Sequence, residues 1–269
     1  MICLFNGCSH TEGSQIPPTQ TWANLVLKSI SPLSKFYHIH SVDGNQDEHI
    51  FKHLNGIDEF IDFENTTGLS VAKSGKGNDA ICFETINYVE YLKQINKKPD
   101  YVFIQWSGPS RSIVQHLVTN YVQFVNPHNV EEFKYNTLKP EPLASSLTLT
   151  YYIILQNYLE NNKIKYIFVD YMGTDDTVYN PYIKKSINYD NIVGNTLIDL
   201  FKITDLTIDK EGHPNEMGFR YIASLILEKL NLSVMSIPNW ISHHTKINYT
   251  EDRLNDFFKI TYPSKSKLL

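Results

Sequence analysis

A chain of 269 residues, 42% hydrophobic and 20% charged, is long enough to bury a full core and has the composition of a globular protein, with one embellished domain or two small ones. Its net charge of −5 leaves no basic footprint for nucleic acid, and no apolar run reaches the length of a bilayer span. Three scattered cysteines, Cys3, Cys8 and Cys82, suit free thiols in a reducing compartment, and Met1 leads straight into an apolar run without a basic n-region, so a cytoplasmic location is expected.

The apolar run Ile2-Cys3-Leu4-Phe5 reads as a strand, and Gly7-Cys8-Ser9-His10-Thr11-Glu12-Gly13 as the loop at its end. Such a loop presents a side chain at the carboxyl edge of a sheet, where open α/β proteins bind ligands. Gly7 and Gly13 free its backbone for conformations that a Cβ disfavours. Ser9 is the hydroxyl offered there, Cys8 reads as a small apolar filler and His10 as a pocket-lining residue. Pro17-Pro18 keeps the next segment extended. Trp22, Leu25, Val26, Ser29 and Ile30 then fall at helical spacing, with Thr21 placed to cap.

Residues 36–42 read as a strand and 43–64 as an acidic, solvated insertion with one short amphipathic helix. Leu69-Ser70-Val71-Ala72 predicts a buried strand, and Ser74-Gly75-Lys76-Gly77-Asn78-Asp79 a second strand-end loop. That loop lacks the Lys-Ser/Thr ending of a phosphate loop. A helix over about 80–94 follows, with Asn78 or Asp79 as its cap. Tyr101-Val102-Phe103-Ile104 has the continuous apolar character of a strand covered on both faces, and Gln105-Trp106-Ser107-Gly108-Pro109 closes it as a third polar loop.

Residues 111–141 are broken by Pro127 and Pro140 and carry Tyr121 and Phe124, which suits an irregular insertion beside the pocket. Arg111 reads as a partner in a structural ion pair. Leu147, Tyr151, Ile154 and Tyr158 mark a long helix, residues 165–170 a strand, and Leu200-Phe201-Lys202-Ile203 a last strand. His213-Pro214-Asn215 then opens a helix whose inward stripe is Phe219, Ile222, Ala223, Ile226 and Leu230. Strands alternating with helices predict an α/β fold, a parallel sheet with helices on both faces. The tail, 233–269, does not fit the repeat. It reads as a C-terminal extension of a 1–232 domain, a surface for a protein partner or self-association.

The strand-end loops and the His213 loop would open on one sheet edge. That gathers a hydroxyl (Ser9), an imidazole (His213), a carboxylate (Asp209 or Glu211) and exposed amides, which are the parts acyl transfer requires. His38 and His40, or His243 and His244, lack partners at ligand spacing, so neither a metal nor an organic cofactor is expected.

At these residues the chain resembles the SGNH hydrolases, the GDSL-type esterases and lipases. Gly7 to Gly13 is similar to the family's first block, Gly-Asp-Ser-x-Thr-x-Gly, with Cys8 in place of Asp. His213-Pro214-Asn215 with Gly218 is similar to its last, Asp-x-x-His-Pro-Asn with a trailing Gly. The resemblance covers residues 1–230 and implies a three-layer α/β/α, flavodoxin-like sheet with insertions.

The resemblance also implies site roles: Ser9 as nucleophile, His213 as base, and Gly77 with the Ser9 amide as oxyanion donors. The family's third block, Gly-x-Asn-Asp, supplies a further oxyanion Asn. Here the same strand end reads Gln105-Trp106-Ser107-Gly108, so Ser107 or Asn78 would stand in. Lys210 occupies the usual acid position; Asp209, one residue earlier, is the expected acid, with Glu211 as rival. The implied activity is cleavage of small acyl esters, such as acetyl groups on a carbohydrate. The alternative is an inactive SGNH-fold protein with a binding or virion-associated role. The third block, Trp106-Ser107-Gly108-Pro109-Ser110-Arg111, is in the style of short SGNH-like proteins of phages and marine bacteria.

Overall fold

The computed structural model describes residues 1–13, 15–39, 61–109, 112–115, 122–125, 141–173, 181–194, 197–204, 206–209 and 212–232. The expected acidic helix between residues 43 and 60, Tyr121, Arg111, Lys210, Glu211 and the whole 233–269 extension lie outside them.

Strand β1 (Ile2–Asn6) is buried along its full length. Alternate side chains leave a strand on opposite faces. Cys3 and Phe5 therefore enter one core and Ile2 and Leu4 the other. The first core is closed by α2 (Trp22–Ile30), which follows the short helix α1 (Ser9–Glu12). Thr21 starts α2 as expected, its side chain accepting the Asn24 N–H at 3.4 Å. Strands β2 (Lys35–His38) and β3 (Thr67–Ser70) come next, and α3 (Asn78–Gln94) closes the second core with Ile81, Tyr88, Val89 and Leu92. At the described end of the acidic insertion, Asp62 pairs with Lys35 at 2.6 Å across solvent.

Strand β4 (Tyr101–Gln105) repeats the pattern of β1, with Phe103 in the first core and Val102 and Ile104 in the second. Within the irregular insertion expected over 111–141, two described stretches are regular. Ser112–Gln115 (β5) and Val122–Val125 (β6) pair antiparallel, as a two-stranded sheet separate from the main one. Helix α4 (Glu141–Asn161), β7 (Lys165–Val169), α5 (Pro181–Lys185) and β8 (Ile192–Val193) follow.

Two expectations are corrected here. Residues 200–203 are not the last strand but part of helix α6 (Leu197–Ile203). Leu197, Leu200, Phe201 and Thr204 are all buried, the three-and-four spacing of a helix face, which four apolar letters in a row conceal. The cap of α3 is Gly77 rather than Asn78 or Asp79, and no side chain completes it. Helix α7 (Glu216–Lys229) ends the described chain, with Asn215 accepting the Gly218 N–H at 2.9 Å.

Among the described residues the main sheet runs β2-β3-β1-β4-β7-β8, all parallel, with α2, α6 and α7 on one face and α3 and α4 on the other. This is a three-layer α/β/α architecture, the parallel sheet covered on both faces that the alternation of strands and helices predicts. From β1 the chain turns to β2 on one side, and from β4 to β7 on the other. The carboxyl ends of β1 and β4 therefore flank the crevice where such sheets bind ligands. Among the described residues no helix is long and apolar enough to cross a membrane.

The end of β1 is held by a buried polar network. Asn6 Oδ1 accepts the Gly7 N–H at 2.8 Å and the Lys76 ammonium at 3.1 Å, while its amide donates to Ile81 O and Thr85 Oγ1. Lys76 is wholly buried and also donates to Val71 O and pairs with Glu84. Burial pulls its ammonium below the usual lysine range, against the pull of Glu84. Removing one partner of a buried pair strands the other charge. Lys76→Met should therefore cost about 3–5 kcal/mol in urea unfolding, and the further change Glu84→Leu should recover most of it.

Candidate active site

Ser9 stands at the first position of α1, immediately beyond β1, and is 7% exposed. Two contacts fix that turn. A Cβ on Gly7 would collide with Thr11 Oγ1 and come within 2.9 Å of the Gln105 carbonyl, so only glycine lets the chain pass this close to β4. Thr11 Oγ1 and Trp22 Nε1 both donate to Gln105 Oε1, at 3.0 and 2.8 Å, tying α1 and α2 to the tip of β4.

His213 comes from the opposite end of the chain, on a loop stapled by its own backbone. Ile208 N donates to His213 O at 2.7 Å, Asn215 N to Leu206 O at 2.8 Å, and the Tyr171 hydroxyl to Gly212 O. Within that turn Asp209 Oδ1 accepts the His213 N–H at 3.1 Å, and Asp209 Oδ2 meets His213 Nδ1 at 2.7 Å. On the far side of the ring, His213 Nε2 lies 2.9 Å from Ser9 Oγ, a contact between residues 204 positions apart. An ionised carboxylate only accepts, so the ring proton is assigned to Nδ1 and Nε2 is left to accept from the Ser9 hydroxyl.

Burial would raise the Asp209 pKa, but the His213 backbone N–H, the Gln15 amide and the His213 ring outweigh it and bring it down to about 2. Gln15 Nε2 donates to Asp209 Oδ2 at 3.0 Å. Sequence reasoning missed this residue. No motif marks it, and its role comes only from the fold, which brings residue 15 against a residue 194 positions later.

The structure thus brings Ser9, His213 and Asp209 together; Glu211 lies outside the described residues. Gly77, Asn78 and Ser107 form a second group at the ends of β3 and β4. Asn78 Oδ1 accepts the Ser107 N–H at 2.7 Å, and its amide donates to Ser107 O and Thr148 Oγ1, both at 3.0 Å. The Asn78 side chain therefore ties the start of α3 to the loop after β4 and to α4 instead of reaching toward Ser9. Among the described residues the Ser9 and Gly77 N–H groups make no hydrogen bond, so both remain as donors.

Beside Ser9 and His213 a small open cleft, with about 170 Å³ of empty volume, is lined by Gly13, Gln15, Ile16, Ile208, Pro214 and Phe219. Gly77, Asn78 and Ser107 lie outside it. Cys8 is buried as expected, but it is more than filler: its Sγ lies 3.2 Å from His10 Nδ1. His10 is 1% exposed and stacks on the His213 ring, with centroids 4.7 Å apart and planes 14° from parallel.

No protein-family model and no curated protein matches the chain in sequence. Among solved structures it is similar to TesA, at 11% identity and a TM-score of 0.47, over 86% of this chain and 98% of that one. It is also similar to the psychrotrophic esterase EstA from a Pseudoalteromonas species, at 12% identity and 0.43, over 86% and 96%. An acetyl xylan esterase, AlAXEase, matches at 12% identity and 0.45, over 85% and 98%.

The hydrogen bonds to Asp209 stabilise the fold wherever its carboxylate is ionised. They are fully present above about pH 4, where an unfolded Asp also ionises, and are lost as the pH falls through the folded value of about 2. Asp209→Asn should be less stable than the parent at neutral pH, and the part of the margin that comes from the carboxylate should close between about pH 4 and 2. Urea midpoints measured across that range check the sign.

Proposed function

We propose that this protein is a serine esterase that removes small acyl groups, such as acetyl, from a carbohydrate or another hydroxylic substrate. One observation carries the reading: the continuous relay Ser9 Oγ–His213 Nε2 at 2.9 Å and His213 Nδ1–Asp209 Oδ2 at 2.7 Å, at the carboxyl edge of the sheet. A serine hydroxyl attacks poorly until a neighbouring base takes its proton. His213 is within reach to do so as Ser9 attacks the ester carbonyl, and Asp209 supports the imidazolium that forms. The Ser9 and Gly77 N–H groups are the candidate donors to the oxyanion. His213 then protonates the departing alcohol and takes a proton from the water that releases the acyl group.

The cleft beside Ser9 suits a short chain. Ile16, Ile208, Pro214 and Phe219 give it apolar walls beside the nucleophile. A second reading, an SGNH-fold binding protein that hydrolyses nothing and serves as a partner or virion component, draws on the third loop. That loop lacks the family's Asn, and Asn78, the stand-in, is bonded to Ser107 and Thr148. Losing an oxyanion donor costs about a hundredfold to a thousandfold, so this feature argues for a slower enzyme before it argues for none.

Ser9→Ala should lower turnover of an aryl acetate to the limit of detection, a fall on the order of 10⁶-fold where the triad acts as a unit, with the melting temperature nearly unchanged. A fluorophosphonate probe should label the parent at Ser9 alone. Absence of labelling, with equal background hydrolysis by parent and variant, favours the binding protein.

A further inference from the structure

The relay accounts for one of two imidazoles at the site. His10 lies directly behind the other. Its ring is almost parallel to that of His213 at 4.7 Å, and Tyr171 covers it from the end of β7, also at 4.7 Å and tilted by 40°. Among the described residues, the titratable groups facing it include the Cys8 thiol on its own turn, Tyr171, and His213 with Asp209 behind it. The two imidazoles have unlike partners. The Nδ1 of His213 faces a carboxylate at 2.7 Å, which welcomes a positive ring. The Nδ1 of His10 faces a thiol sulfur at 3.2 Å, where S–H donation suits a bare nitrogen on a neutral ring. Burial opposes charge on His10 as well, and two stacked rings this close repel if both are protonated.

We propose that His10 is a positioning residue: a neutral imidazole plate, held by Cys8, that keeps the His213 ring in plane between Asp209 and Ser9 while His213 alone takes the proton. The kinetic part rests on the esterase reading; the division of protons between the rings does not. Without the plate, the His213 ring can swing about its side-chain bonds and lose its line to Ser9. A misplacement of about 1 Å can cost on the order of a hundredfold in rate.

Two substitutions and one spectroscopic measurement test this. His10→Leu fills similar space without a flat face; it should lower kcat on an aryl acetate between about tenfold and a hundredfold, with KM within about twofold. His10→Phe restores a flat neutral ring and should recover kcat to within about threefold, with the acid limb of the pH profile unmoved. In the unaltered protein, imidazole ¹⁵N and ¹³C shifts followed from pH 9 to pH 5 should show His213 gaining a proton while His10 stays neutral. Equal kcat in His10→Leu and the parent, activity lost in step with melting temperature in both variants, or His10 protonating before His213 would each overturn the proposal. Should the parent prove inert toward aryl acetates, the esterase reading falls alone, and the titration still decides whether His10 is the neutral partner. The titration also decides the matter if His10→Leu fails to fold.

Discussion

The end of β1 has almost no freedom, and the site inherits its geometry from that confinement. Asn6 uses both sides of its amide inside the core, and the Lys76 ammonium is held among Asn6, Val71 O and Glu84 with no access to solvent. Burying such a charge is costly, and a well-packed apolar set would often be as stable. What the charge contributes here is register. It links the last residue of β1, the loop after β3 and the second turn of α3, so the three cannot slide independently. One residue later, Gly7 passes against the Gln105 carbonyl where no side chain fits. Ser9 is thereby aimed by backbone packing before any hydrogen bond to its hydroxyl is made.

The partner groups are aimed by a different device. Asp209 and His213 share one short loop, and the carboxylate holds both the backbone N–H and the ring of the same histidine. Acid and base therefore move as one body. The loop is pinned to the end of β7 by the Tyr171 hydroxyl and to the segment after α1 by Gln15. This also explains how the acid can stand four residues before the histidine rather than three. The turn closes through the Gly212 N–H to Asp209 O at 3.3 Å, with Gly212 at φ 88°, a left-handed conformation that suits glycine.

Much of this was legible in the sequence, unevenly and for physical reasons. The central strands of the main sheet announce themselves because burial on both faces demands unbroken apolar runs, as in Ile2-Cys3-Leu4-Phe5 and Tyr101-Val102-Phe103-Ile104, whereas β8, only two residues long, goes unannounced. Ser9 and His213 stood out through glycine-flanked and proline-flanked settings that local chemistry requires. Short apolar runs without such flanks are ambiguous: residues 200–203 read as a strand, whereas Leu197, Leu200, Phe201 and Thr204 are buried at helical spacing. Asn78 was read as a cap, although its side chain is drawn away by Ser107 and Thr148, partners 29 and 70 positions distant. Gln15 and the His10–His213 stack left no trace, because both are meetings of chain segments that only the folded sheet brings together.

The wide separation of Ser9 from His213 has a consequence for the timing of assembly. A ribosome releases the imidazole about two hundred residues after the hydroxyl, and helix α7, which buries Phe219, Ile222 and Ile226 against the first core, later still. The nascent chain therefore carries an unassembled relay over the whole stretch between the two residues. The step that joins its halves is also the step that seals one face of the sheet.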